Sequence, residues 1–181
     1  MKYIFFIIVL LYLYAVILQY KKFYEGNLEI LQVSIINMRP EIVAERKPVV
    51  VMDVKDKSET RGRLRLMYII SRNGGSFEYD KMRVSKCKYT LIEGDCKLAI
   101  HSPYQAYLIR ENVIKGKMRV KDYGICEGIY NEVPSISVVL KKGMTLILPV
   151  HWGYTCIEGK CNIEYLHDMA SLIMTSIESF V

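Results

Sequence analysis

Three histidines, five cysteines and a scatter of carboxylates are the residues of this 181-residue chain that could carry chemistry. Two imidazoles and one carboxylate aimed from one side hold a divalent ion and leave open positions for substrate. His101, His151 and Asp168 would make such a triad if the fold brought them together. Plain structural roles compete with it. His101 stands before Ser-Pro, His151 before Trp152 and His167 before Asp168, and buried, hydrogen-bonded imidazoles fit the first two positions as well. Cys87, Cys96, Cys126, Cys156 and Cys161 include no Cys-x-x-Cys pair, which argues against a zinc ribbon. Cys156 and Cys161 flank Ile-Glu-Gly-Lys, which has the look of a hairpin tip. A disulfide between them suits an oxidising compartment, and free buried thiols suit the same spacing. There is no Gly-x-Ser-x-Gly, no phosphate-binding Gly loop and no His-Glu-x-x-His.

The elements that must position these groups read mostly as short strands. Period-two alternation runs through Gly62–Ser71, with Leu64, Leu66, Tyr68 and Ile70 on one side. Three stretches read as hairpins turning at Gly94, Gly143 and Gly159, each Gly beside charged residues. Leu28–Ile36 and Val49–Val54 read as strands. Between them Arg39–Arg46 reads as a short helix with Pro40 in its first turn, where a missing amide proton costs little. Met169–Phe180 spaces Met169, Ile173 and Ile177 four apart and is expected to be helical. Many short strands and little helix predict a sandwich or barrel.

Ahead of the strands, Tyr3–Leu18 contains no charge, Gly, Pro, Ser or Asn. With Gln19-Tyr20 the run is eighteen residues, and at about 1.5 Å each these span roughly the hydrocarbon core of a bilayer. The run is longer than a typical signal core and no small-x-small cleavage site follows it. It is therefore expected to be an uncleaved transmembrane anchor, giving an anchor and juxtamembrane segment at 1–25 and one domain at 26–181. Lys2 on one side and Lys21-Lys22 on the other leave its orientation a tie.

The net charge of +6 is uneven: residues 72–121 carry eleven Lys/Arg against five Asp/Glu, residues 122–181 three against seven. Arg61, Arg63, Arg65, Arg83, Lys86 and Lys88 could form a basic contact face for an acidic partner or anionic lipid. The charges are scattered along expected strands, and no nucleic-acid recognition motif accompanies them. A solvated sheet face is the plainer reading.

Three segments in order carry a resemblance: Arg39–Asp53, Tyr89–Leu108 and Val138–Tyr154. The third is the most specific, with Lys-Gly-Met, an aliphatic run and then Pro149-x-x-Trp152. Together they resemble the cupin-like (JmjC-like) proteins of large DNA viruses over roughly residues 28–167. The resemblance implies a mainly β fold: a double-stranded β-helix (cupin-like jelly roll) behind an N-terminal transmembrane helix. Active members of that fold hold Fe(II) and 2-oxoglutarate with His-x-Asp/Glu and a distal His two residues after the Trp. Here no His-x-Asp or His-x-Glu occurs, and the distal position holds Tyr154. The resemblance therefore implies a non-catalytic protein without cofactor or metal. It would be a structural or interaction component of a virion or its membrane, placed in a virion or host-cell membrane. Its partners would be the lipid bilayer, through the N-terminal helix, and other virion or membrane proteins rather than nucleic acid. Contacts are expected through the basic face and the loop 116–133. A divergent Fe(II)/2-oxoglutarate oxygenase, a module binding a sugar or lipid in a barrel pocket, and an adaptor for anionic lipid or nucleic acid are the alternatives.

Overall fold

The computed structural model describes residues 2–21, 28–78, 82–107 and 134–178. Helix α1 (Lys2–Lys21) is followed by β1 (Leu31–Ser34), a 3-10 turn at Ile35–Asn37 and α2 (Pro40–Ala44). Then come β2 (Val49–Met52), α3 (Lys57–Leu64), a second 3-10 turn at Arg65–Met67, and β3 (Ile70–Glu78). β4 (Arg83–Val84), β5 (Tyr89–His101), β6 (Ile136–Leu140), β7 (Thr145–Pro149) and β8 (Gly153–His167) complete the sheet, and α4 (Met169–Glu178) ends the described chain. The fold is mainly β, with one eight-stranded mixed sheet ordered β1-β2-β7-β5-β8-β3; β4 pairs with β8 and β6 with β5. Among the described strands only β1 and β2 run parallel, joined by a crossover through α2.

The expected hairpins at Gly94 and Gly159 are not hairpins. Both glycines lie inside single long strands, β5 and β8, which pair antiparallel from Tyr89↔Leu166 to His101↔Gly153. Along the other edge of β5, β7 covers residues 89–93 and β6 covers 96–100. β6 and β7 thus run as one interrupted strand, and the turn at Gly143 links them without folding one back on the other. All three paths change direction at the same level. The chain length shows how far. A straight β5 would span about 40 Å. Its ends, however, pair with Pro149 and Gly153, which are joined by a link that reaches at most about 14 Å. The sheet folds over on itself.

Gly94 and Gly159 make the crease possible. Both have positive φ, and a Cβ on either would collide with a backbone carbonyl of the opposite strand, Lys160 for Gly94 and Asp95 for Gly159. Each glycine faces a cysteine in register, Gly94↔Cys161 and Cys96↔Gly159. The disulfide of the crease is Cys96–Cys161, with Cα atoms 6.0 Å apart. This corrects the expected Cys156–Cys161 bridge. Glu158-Gly159-Lys160 is a strand interior and not a tip, so Cys161 turns toward its cross-strand neighbour. Cys156 is buried and outside that disulfide, with Sγ 3.6 Å from that of Cys161.

Two apolar clusters occupy the two faces of the folded sheet. Val50, Ile92, Leu98, Ile100, Leu140, Leu146, Leu148, Trp152 and Tyr154 fill the inner one. Val49, Val51, Leu91 and Ile147 alternate onto the outer face, where Ile35, Met38, Val43 and Leu64 from the helical segments cover them. That is why Val49–Val51 and Thr145–Pro149 are buried at every position.

Gly62–Ser71, expected as a strand, is α3 and a 3-10 turn up to Met67; β3 begins at Ile70. Asp56 stands at the N-cap position, and the Glu59 carboxylate accepts from the Lys55 amide at 3.1 Å. Thr60 and Leu64, one turn apart, are both fully buried, whereas Leu66 is 97 % exposed. A strand would have put Leu64 and Leu66 on one face.

The described side chains of α1 run from Phe6 to Leu18 with a gap at residue 8, and among the described residues no helix is long and apolar enough to cross a membrane. The α1 backbone is helical over all twenty residues.

Candidate functional site

The position matched to the distal ligand in the sequence is Tyr154, inside the folded sheet. Strand β8 carries Tyr154 opposite Ile100, and both point into the inner cluster. The phenol is 1 % exposed. Burial pushes its ionisation far above the ordinary tyrosine value, and the hydrogen-bonded hydroxyl of Tyr165 pushes the same way. The group is therefore a neutral phenol in the metal-free protein. Leu98, Leu140, Leu146 and Leu148, each fully buried, occupy the surrounding space. This donor set does not fit Fe(II), and no step through iron or 2-oxoglutarate can be derived from it.

His101 follows Ile100 and so faces the other side of β5, where its Cβ and that of Ala106 close over Gly153. The imidazole is fully buried. Burial lowers its pKa from 6.5 to about 4, while a hydrogen bond with the Pro134 backbone works weakly in the opposite sense. His151 is a left-handed turn residue (φ 73°) whose amide donates to the Ser85 carbonyl at 2.7 Å. Asp168 pairs with Lys88 at 3.3 Å. Among the described residues no three His, Cys, Asp or Glu side chains gather as a metal site, so His101, His151 and Asp168 do not converge.

Trp152 is fully buried, and its indole Nε1 donates to the carbonyl of Arg46 at 3.0 Å. Arg46 has φ 59° just after α2, so the indole fixes the end of the crossover. The Pro149-x-x-Trp152 motif is here a packing and capping device. Nearby, Ser85, Cys87 and Thr90 share a buried polar knot, with Ser85 Oγ 2.8 Å and Cys87 Sγ 3.1 Å from Thr90 Oγ1. Burial raises the Cys87 thiol above its usual value despite those hydrogen bonds. A protonated, inaccessible thiol is a poor nucleophile.

The residues of the expected basic face have different partners. Arg61 pairs with Glu164 at 3.5 Å across β8, Lys88 pairs with Asp168, and Arg83 sits on β4 opposite Tyr154. Arg63, Arg65 and Lys86 are exposed. Arg61 and Arg63 stand on α3 and Arg65 on the 3-10 turn, where a strand was expected. The loop 116–133 lies outside the described residues.

Two open grooves run along the outside of the sheet, of about 430 and 440 Å³. The first is lined by polar side chains including Arg61, Asn73, Glu93, Asn162 and Glu164. The second, at the crease, is lined by Lys55, Asp56, Asp95, Lys141 and Lys142. Glu93 belongs to both, and its carboxylate accepts from Thr145 Oγ1 at 2.8 Å.

Sequence reasoning missed Cys96 and the two glycines as a unit, yet a signal was present. Glu93-Gly94-Asp95-Cys96 and Glu158-Gly159-Lys160-Cys161 repeat one pattern, Glu-Gly-charged-Cys, in two strands that cross antiparallel. In that register Asp95 faces Lys160, an opposite-charge pair of the kind that favours cross-strand pairing. Compared with known proteins, the chain matches no family model, and no curated protein matches it.

Proposed function

We propose that the chain is a non-catalytic, membrane-anchored protein with a cupin-like jelly-roll domain, serving as a structural or interaction component of a virion or its membrane. The observation that carries the non-catalytic part is the interior of the folded sheet. Trp152, Tyr154, Leu98, Leu140, Leu146 and Leu148 are all at most 1 % exposed there, in the space an oxygenase needs for its metal and cosubstrate. The bent antiparallel pair β5–β8, closing the sheet over that core, supports the jelly-roll reading. The uncharged run Tyr3–Leu18 on a helical backbone supports the anchor, which would hold the domain at high local concentration beside its neighbours. The viral setting rests on the resemblance of segments 39–53, 89–108 and 138–154.

Full-length protein purified in detergent and incubated anaerobically with Fe(II) and 2-oxoglutarate is expected to retain no stoichiometric iron and, once aerated, to form no succinate. One iron per chain with turnover would replace this reading by a divergent oxygenase. Alkaline carbonate extraction tests the anchor separately: the chain is expected to stay with the membrane pellet.

A further inference from the structure

Leu66, on the 3-10 turn between α3 and β3, is 97 % exposed, and Ile69 (59 %) and Met169 (47 %) are exposed beside it. These three line one shallow cleft whose other wall is Tyr12 and Val16 of α1. α1 also packs on α4, which carries no charged residue before Glu178. The apolar surface is therefore continuous from the domain onto α1, where Phe6, Leu10, Leu11 and Leu18 are exposed. A continuous apolar surface of this kind marks a contact with lipid or protein.

If α1 spans a bilayer from Tyr3 to Tyr20, Val16 and Tyr12 lie ~6 and ~12 Å along the helix from Tyr20. Both are then below the surface on the domain's side. Whatever touches them is held at that depth or at its edge, which is where Leu66, Ile69 and Met169 are. The polar rim matches an interface. Arg65 adjoins Leu66 in sequence and Arg63 stands three residues before it, both exposed, and the Asp168 carboxylate in the cleft is offset by Lys88 at 3.3 Å.

We propose that Leu66, Ile69 and Met169, rimmed by Arg63 and Arg65, are immersed in the bilayer beside the anchor and are covered by lipid with acidic headgroups. Acyl chains cover the apolar side chains, and the two guanidiniums reach up to headgroup anions. This rests on the anchor reading. It adds that the domain is seated on the membrane in one orientation and does not swing on a tether.

The test uses the full chain in a Cys126→Ser background, so that the label goes to the introduced cysteine; Cys87 and Cys156 are buried. An environment-sensitive fluorophore is attached at Leu66→Cys, and for comparison at Val139→Cys on β6, which is exposed and lines no part of the cleft. The protein is placed in nanodiscs of phosphatidylcholine with or without phosphatidylserine. Nitroxide-bearing lipid is expected to quench the label at 66 several-fold more than the label at 139. Arg63→Glu with Arg65→Glu should bring the quenching in acidic discs down to the level in neutral ones. A label at 66 open to aqueous iodide like the one at 139, on chains still in the disc, would overturn the proposal and leave the anchor standing. A label shielded from both quenchers would mean that a second copy covers the patch, and would also overturn it. Chains recovered free of the discs would sink the anchor reading and this inference with it.

Discussion

A methyl group at Gly94 would meet the Lys160 carbonyl at a backbone torsion that L residues rarely adopt. Gly94→Ala is expected to cost about 2–4 kcal/mol, summing the torsional penalty and the forced shift of β8. Gly62, on α3 with open space around its Cα, should behave oppositely: Gly62→Ala should stabilise by about 0.5–1 kcal/mol. Urea midpoints of the two variants against the parent, in one detergent, check both signs. The cysteines of the crease offer a second measurement. Cys161 Sγ has Cys96 as its bridge partner and Cys156 Sγ at 3.6 Å. After Cys96→Ser and mild oxidation, peptide mapping is expected to find Cys156–Cys161 as the new bridge. Persistence of both thiols as free would contradict that geometry.

His101 sets a pH dependence. Its folded pKa of about 4 lies below the ordinary 6.5, so between those values the unfolded chain binds the extra proton and stability falls as pH falls. The contribution is complete above pH 6.5 and amounts to about 3 kcal/mol lost by pH 4. His167, also lowered by burial, adds in the same direction. A plot of unfolding free energy against pH should be flatter over that window for His101→Gln than for the parent.

At the scale of elements, the legible parts of the sequence were those where one physical cause acts alone. Pro40 in a first helical turn and the four-residue spacing of Met169, Ile173 and Ile177 both read correctly. The errors arose where local chemistry has two solutions. Charged residues around a Gly suit a hairpin tip or a crease in a long strand, and only the partner strand decides. Gly94 and Gly159 chose the crease because each lies against the other strand's backbone. Gly62–Ser71 alternates like a strand, but Thr60 and Leu64 one turn apart bury together on α3. That difference is measurable. Leu64→Ala should cost about 2–5 kcal/mol as a core truncation, whereas Leu66→Ala, with its side chain outside the protein core, should stay within about 0.5 kcal/mol in detergent. Equal effects at the two positions would restore the strand. On the same helical segment Arg61 pairs with Glu164, while Arg63 and Arg65 are exposed.

At the scale of the whole molecule, the account is that one sheet, creased through three strand paths and stapled at Cys96–Cys161, encloses a solid apolar interior. Little of that was visible in the sequence. Missing His-x-Asp/Glu ligands say what the interior lacks; only the packing of Leu98, Leu140, Leu146 and Leu148 around Tyr154 says what fills it. Trp152, the chain's one tryptophan, reports on that interior directly, since its ring lies within the inner cluster. The decisive measurement is its fluorescence in the native full-length protein, titrated with iodide and then with Co(II) plus 2-oxoglutarate. A dry, filled interior predicts blue-shifted emission that neither quencher changes. Emission quenched by iodide, or lost in proportion to one added Co(II) per chain, would show a solvated, metal-accepting cavity and contradict the account.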